Sequence, residues 1–160
     1  MTRATVGLCL TLWIGWLPQN AWAVLDSCTV SASGVSFGAY NPFSGSSLDS
    51  TGTVTVSCFG LLGGVFQIAL SAGGKGSGGS FSPRRMGSGA NTLTYNLYVD
   101  SSRTQIWGDG SGGTSIRSLN CILLCLGIPQ NFTVYGRIPA SQTGTHSGTY
   151  GDTITVTVTF

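Results

Sequence analysis

Apolar and polar residues alternate one by one through much of the chain. Val54, Val56 and Cys58 share one side of "TGTVTVSC", Phe66, Ile68 and Leu70 one side of "VFQIALS", and Leu93, Tyr95, Leu97 and Val99 one side of "TLTYNLYVD". "NFTVYGRI" repeats this with Phe132, Val134 and Ile138. The closing "GDTITVTVTF" is the most regular, setting Ile154, Val156, Val158 and Phe160 against Thr153, Thr155, Thr157 and Thr159. Successive side chains of an extended chain point to opposite faces, so each stretch predicts a strand with one face in a core and one in water. "CTVSASGVSFGAY" predicts a first, interrupted strand. Gly, Ser, Asn and Pro separate these stretches and no amphipathic helix of useful length intervenes, which predicts an all-β, immunoglobulin-like sandwich of about six or seven strands. The last strand is expected over residues 153–160, with no turn or partner strand after it.

The first 23 residues do not follow the pattern. Arg3, an apolar run over residues 6–17 too short to span a bilayer, and the small-x-small "AWA" ending at Ala23 read as a secretory signal peptide. Residues 24–160 are then one mature domain. Cys9 and three of the four Trp residues leave with the leader, and the even number of remaining cysteines in an exported chain favours disulfides. Six of the seven basic residues stay, against five acids that are all Asp. That balance gives no electrostatic reason to expect nucleic acid or an anionic membrane as partner. No later apolar run is long enough for a membrane span, so a soluble mature protein is expected. With charged residues at only 8%, the surface should be rich in hydroxyls, as in exported β-proteins that pack against copies of themselves.

Candidate chemistry is sparse. His146 is the only histidine, and no G-x-S-x-G elbow accompanies it, so a solvated loop residue is the better reading than a Ser-His-Asp site. Cys121 and Cys125 lack a second Cys/His pair, which favours a disulfide over a metal site, and a bond between them requires a turn because extended chain would hold them about 13 Å apart. The glycine-rich "SAGGKGSGGS" lacks the Lys-Ser/Thr and helix of a phosphate cradle and reads as a flexible loop. Arg84 and Arg85 are read as loop cations packing their stems on the sandwich rather than a carboxylate grip, and Asp109 and Asp152 as turn residues bonding their own backbone. Trp107 at a strand end is read as structural, and Asn131 in "NFT" as a strand residue rather than a glycosylation site. No catalytic residue, metal or cofactor is expected.

The ordered blocks "CTVSASGVSFGAYNP", "GTVTVSC", "RRMGSG" before "LTYNLYVD", "IWGDG", "TVYGRIP" and "GTYGDTITVTVTF" resemble the spore coat protein U domain, which bacterial secreted proteins share with subunits of archaic (Csu-type) chaperone-usher pili. The resemblance implies an incomplete immunoglobulin-like sandwich that lacks its seventh strand, with a groove where that strand would lie. By the same resemblance, a periplasmic chaperone is expected to fill the groove first and a strand from a neighbouring pilus subunit to replace it at an outer-membrane usher. It also implies a Cys28–Cys58 bond, worth about 3.5 kcal/mol in the chain-entropy model. Val30 and Val35 on the first strand and Ile154, Val156, Val158 and Phe160 on the last are expected to line the acceptor groove and contact the chaperone.

The reading that follows is a non-enzymatic pilus subunit, secreted through the periplasm to the cell surface. Only residues 24–27 lie between the expected cleavage site and Cys28, about 13 Å of extended chain, which is too short to donate a strand and places the subunit at the fibre tip. "CILLC" departs from the family pattern; Ile122, Leu123 and Leu124 either cap the sandwich or form an adhesive apolar tip. The alternatives are a coat or matrix protein that completes its own fold, and a carbohydrate-binding domain using Trp107, Tyr135 and Asp109.

Overall fold

The computed structural model describes residues 27–60, 64–75, 79–121 and 125–159, so the expected leader, residues 1–23, lies outside the described residues. The strands are β1 (Ser27–Ser33), β2 (Leu48–Gly60), β3 (Gly64–Leu70), β4 (Arg84–Ser88), β5 (Asn91–Tyr98), β6 (Arg117–Cys121), β7 (Cys125–Leu126), β8 (Gln130–Ile138) and β9 (Val156–Thr159). They pair antiparallel into two sheets, one ordered β1-β2-β8-β5-β4 with β7 on the end of β2, the other ordered β6-β3-β9. The fold is an all-β sandwich, and the alternation in the sequence selects its interior. Val54, Val56 and Cys58, Phe66, Ile68 and Leu70, Leu93, Tyr95 and Leu97, and Val134 and Ile138 are all buried between the sheets.

Trp107 joins the two layers. It is completely buried; its backbone N–H donates to the Leu97 carbonyl of one sheet at 2.9 Å and its indole Nε1 to the Ile68 carbonyl of the other at 3.0 Å. Both disulfides hold sheets or strands together. Cys28 and Cys58 lie directly opposite in the β1–β2 register and are bonded. The bond from Cys121 to Cys125, Cα atoms 5.5 Å apart, ties β6 of one sheet to β7 of the other.

Two sequence expectations fail here for one reason. Arg84 is not a loop cation: it starts β4 and is fully buried. Its Nε and one terminal nitrogen donate to the Ser71 carbonyl at 3.1 and 2.8 Å, and further bonds reach the Trp107 carbonyl at 2.6 Å and Asn96 Oδ1 at 2.8 Å. Burial lowers the guanidinium pKa from its ordinary value, and four well-aimed hydrogen bonds offset the desolvation. The Ser71 carbonyl is thereby taken from the β3–β9 ladder. The Thr155 N–H turns to Ser71 Oγ at 2.9 Å instead, and β9 begins at Val156 rather than residue 153.

Asp152 also does more than close its own turn. Its Oδ1 accepts from the backbone N–H groups of Gly74, Lys75 and Thr153, and its Oδ2 from the Tyr95 hydroxyl at 2.7 Å. Burial, reinforced by that bond to Asp152, pushes the Tyr95 phenol well above its ordinary pKa, so it stays a donor. The glycine-rich stretch after β3 is therefore anchored at Gly74 and Lys75, and residues 76–78 lie outside the described residues. Asp109 is the local turn residue expected, accepting from the Ser111 N–H and Oγ.

Candidate functional site

The chain leaves β1 at Ser33, and residues 34–40 join no strand. They cross the inner face of the larger sheet, held by Ser50 Oγ donating to the Ser36 carbonyl at 2.6 Å and the Tyr40 hydroxyl donating to the Pro139 carbonyl at 2.8 Å. Val35 and Phe37 pack inward, Phe37 edge-on to Tyr95 with ring centroids 6.2 Å apart. Val156 of β9 and Ile154, just before that strand, line the opposite side. Between these two walls runs a groove of about 1130 Å³, its floor formed by Val54, Leu70, Leu93, Leu97, Val134 and Ile138. That exceeds the roughly 300–1,000 Å³ of small-molecule pockets, and one wall is a continuous run of chain from Ala32 to Tyr40. One part of the rim is polar, with Thr145, His146, Ser147, Thr149 and Asp152.

The edge beside the groove is unpaired. Among the described residues β9 pairs with β3 alone, in a register that sets Val156 opposite Leu70 and Val158 opposite Ile68. Ser71 N donates to the Thr155 carbonyl at 2.9 Å, so hydrogen-bonded pairs fall on residues 155, 157 and 159. The N–H and C=O groups of Val156 and Val158 then point away from β3, toward the groove side. Their side chains, like that of Ile154, are half-buried, while Thr155, Thr157 and Thr159 are exposed. Strand residues facing a complete core are buried outright; these lack cover on one side. The arrangement offers apolar sockets and an unpaired row of donors and acceptors together, the two features by which an added strand is recognised.

Of the residues expected in the groove, Val35, Ile154 and Val156 line it. Val30 and Val158 lie one alternation beyond the last lining residues, Ala32 and Val156; Val30 sits opposite Val56 on the inner side of β1 and is 41% exposed. Phe160 lies outside the described residues, as do Ile122, Leu123 and Leu124. Sequence reading did not identify Phe37, Tyr40 and the loop around His146 as groove residues. The quoted "SGVSFGAY" carries an alternating Val35 and Phe37 that signals them.

Other candidates separate from the site. His146 is exposed on the groove rim, and its carbonyl accepts from the Tyr150 hydroxyl. Trp107 is inaccessible, which removes it as a sugar-stacking platform, and Tyr135 lies under the Arg103 guanidinium, 5.8 Å from the ring centroid. Among the described residues no group of three His, Cys, Asp or Glu is placed to hold a metal ion. At one end of the sandwich, flanking the Cys121–Cys125 bond, Phe59, Val65 and Leu126 are 46%, 57% and 62% exposed, and Ile128 is as exposed as Leu126. Gly60 pairs with Cys125 and Gly64 with Cys121, so the ends of β2 and β7 in one sheet lie near the ends of β3 and β6 in the other, joined by the Cys121–Cys125 bond. Residues 61–63 and 122–124, Leu-Leu-Gly and Ile-Leu-Leu in sequence, lie outside the described residues.

Fold and groove together define an immunoglobulin-like sandwich with an apolar groove open beside β9. The family model of the Spore Coat Protein U domain matches residues 18–157, and the chain belongs to that family. It is 38% identical over 136 residues to "Protein U" of Myxococcus xanthus, an alignment covering 79% of this chain and 71% of that protein. In fold it is similar to a chain in the crystal structure of the CsuC-CsuE chaperone-tip adhesion subunit pre-assembly complex from archaic chaperone-usher Csu pili of Acinetobacter baumannii. There the TM-score is 0.56 and the identity 24%, and the match covers 85% of this chain but 40% of that one.

Proposed function

We propose that this chain is exported after removal of residues 1–23 and serves, without catalysis, as a structural subunit of a chaperone-usher pilus. The observation that carries the reading is the groove between residues 32–40 and β9, with the outward N–H and C=O groups of Val156 and Val158 along it. Its occupants are a strand of a periplasmic chaperone first and, at an outer-membrane usher, a strand of a neighbouring subunit. Strand exchange needs no cofactor: the incoming chain replaces one set of ladder bonds and side-chain contacts with another. The likeness to the Csu complex supports this through fold alone.

The test is capture of a strand in solution. A labelled ten-residue peptide of alternating Val and Thr, added while the mature chain refolds under oxidising conditions, is expected to co-elute with it in equal amounts. A peptide of the same composition without alternation is expected to stay free. If neither peptide binds and the chain refolds as a stable monomer, the self-completed coat protein is the correct reading.

We propose further that the apolar end is adhesive. Phe59, Val65, Leu126 and Ile128 are exposed together beside the Cys121–Cys125 bond, and burial of such a patch on an apolar surface contributes about 25 cal/mol per Å², multiplied over many fibres. Replacing Ile122, Leu123 and Leu124 together by Ser is expected to abolish binding of assembled fibres to polystyrene while leaving export and fibre length unchanged. A subunit that no longer leaves the periplasm would instead assign those residues to the core.

A further inference from the structure

The groove has a wall that is not a strand, and its position depends on two glycines. Gly52 of β2 and Gly136 of β8 both face the interior; Gly52 pairs with Val134, which puts Gly136 at the diagonal position on the neighbouring strand. Neither has a positive φ, so backbone conformation does not require glycine at either place. Space does. A Cβ on Gly136 would lie 2.6 Å from Val35 Cγ1 and 2.7 Å from Phe37 Cζ, and one on Gly52 would lie 2.6 Å from the Ser33 carbonyl oxygen and 3.0 Å from Val35 Cγ2. The pair forms a notch in the sheet into which Val35 sinks, with Phe37 resting on its second half.

Val35 and Phe37 have the notch on one side and the groove on the other. Tyr95 stands edge-on to Phe37, and the Ser50–Ser36 and Tyr40–Pro139 hydrogen bonds restrain the chain along its length. A side chain added in the notch therefore has one direction in which to displace them, toward Ile154 and Val156. We propose that Gly52 and Gly136 are the positioning residues that hold the groove at the width of one strand, so that filling the notch closes the groove. This rests on the reading of the groove as a strand acceptor and adds what sets its width.

Ordinary core overpacking destabilises every form of a protein, whereas here the cost falls on the strand-completed form. In the empty subunit the displaced wall moves into vacant space, whereas in a completed subunit that space is occupied. The experiment compares the mature chain with one extended beyond Phe160 by a flexible linker and a Val/Thr-alternating strand, by urea unfolding at submicromolar concentration with Trp107 fluorescence as the signal. Gly136→Ala is expected to leave the midpoint of the unextended chain nearly unchanged and to remove more than about half of the increase that the added strand confers. Adding Val35→Ala and Phe37→Leu, which vacates the contested space, is expected to restore part of that increase. Equal losses in both forms, or an unchanged increase, overturn the proposal, because a purely structural glycine acts on both alike. An original chain that gains nothing from the added strand refutes strand acceptance itself and is recognised before any variant is made.

Discussion

The mature chain extended beyond Phe160 by a flexible linker and a ten-residue Val/Thr-alternating strand is expected to melt on the order of 20 °C above the unextended chain. Five inward side chains contribute about 10 kcal/mol and some eight new ladder bonds about 8, while ordering ten residues costs about 13, leaving about 5 kcal/mol. For a domain of this size each kcal/mol moves the midpoint by about 4 °C. The gain is local to the groove and the edge beside it, where Ile154, Val156 and Val158 are half-buried and, among the described residues, β9 has β3 as its single partner strand. The unextended chain, produced without a chaperone, is expected to aggregate, because the same edge templates pairing with other copies. Calorimetry and light scattering measure both. Cooperative melting of the unextended chain within about 5 °C of the extended one would show that its sandwich is already complete.

Loss of Arg84 is expected to be the most damaging single substitution. Arg84→Met keeps the length of the side chain but leaves the carbonyls of Ser71 and Trp107 without their guanidinium donor and takes one of two donors from Asn96 Oδ1, which keeps the Leu97 N–H. At about 1–3 kcal/mol for each orphaned acceptor, the cost is about 4 kcal/mol or more. Part is recovered if the Ser71 carbonyl takes the Thr155 N–H and β9 lengthens by one pair, which hydrogen exchange at Thr155 would report as added protection. Arg84→Lys, with a compact head and no fork, can serve only some of the three acceptors and is expected to fall between. Urea midpoints of the strand-extended protein provide the comparison. A Met variant within about 1 kcal/mol of the original would mean that the guanidinium's desolvation cancels its hydrogen bonds.

The groove is partly legible in the sequence. Ile154, Val156 and Val158 alternate with threonines, and that alone assigns them to an inner face, because orientation in a strand is a property of neighbouring residues. Val35 is not legible in this way: five residues from Val30 it would fall on the opposite face of a regular strand, and it faces inward because the chain has left β1 at Ser33. Nor is the width of the space they enclose, since Gly52 and Gly136 are remote in sequence from residues 33–37, and nothing local distinguishes a notch from a turn. Arg84 illustrates the opposite failure. In "SPRRMGSG" it looks like its neighbour Arg85, and only the convergence of Ser71, Asn96 and Trp107 provides acceptors enough to bury one of the two.

Sequence alone determined the fold class, the inward face of each long strand and the family, all of which rest on short-range alternation and on blocks in a set order. Tertiary structure decided the rest: which cation is buried, where β9 starts, that Asp152 ties the loop after Ser71 to Tyr95, and that the exposed ends of β2, β3 and β7 lie together. Each of those depends on groups about 13 to 78 residues apart arriving within hydrogen-bond or van der Waals distance. Such coincidences are set by how the two sheets are stacked and crossed, and no stretch of chain a few residues long contains that information.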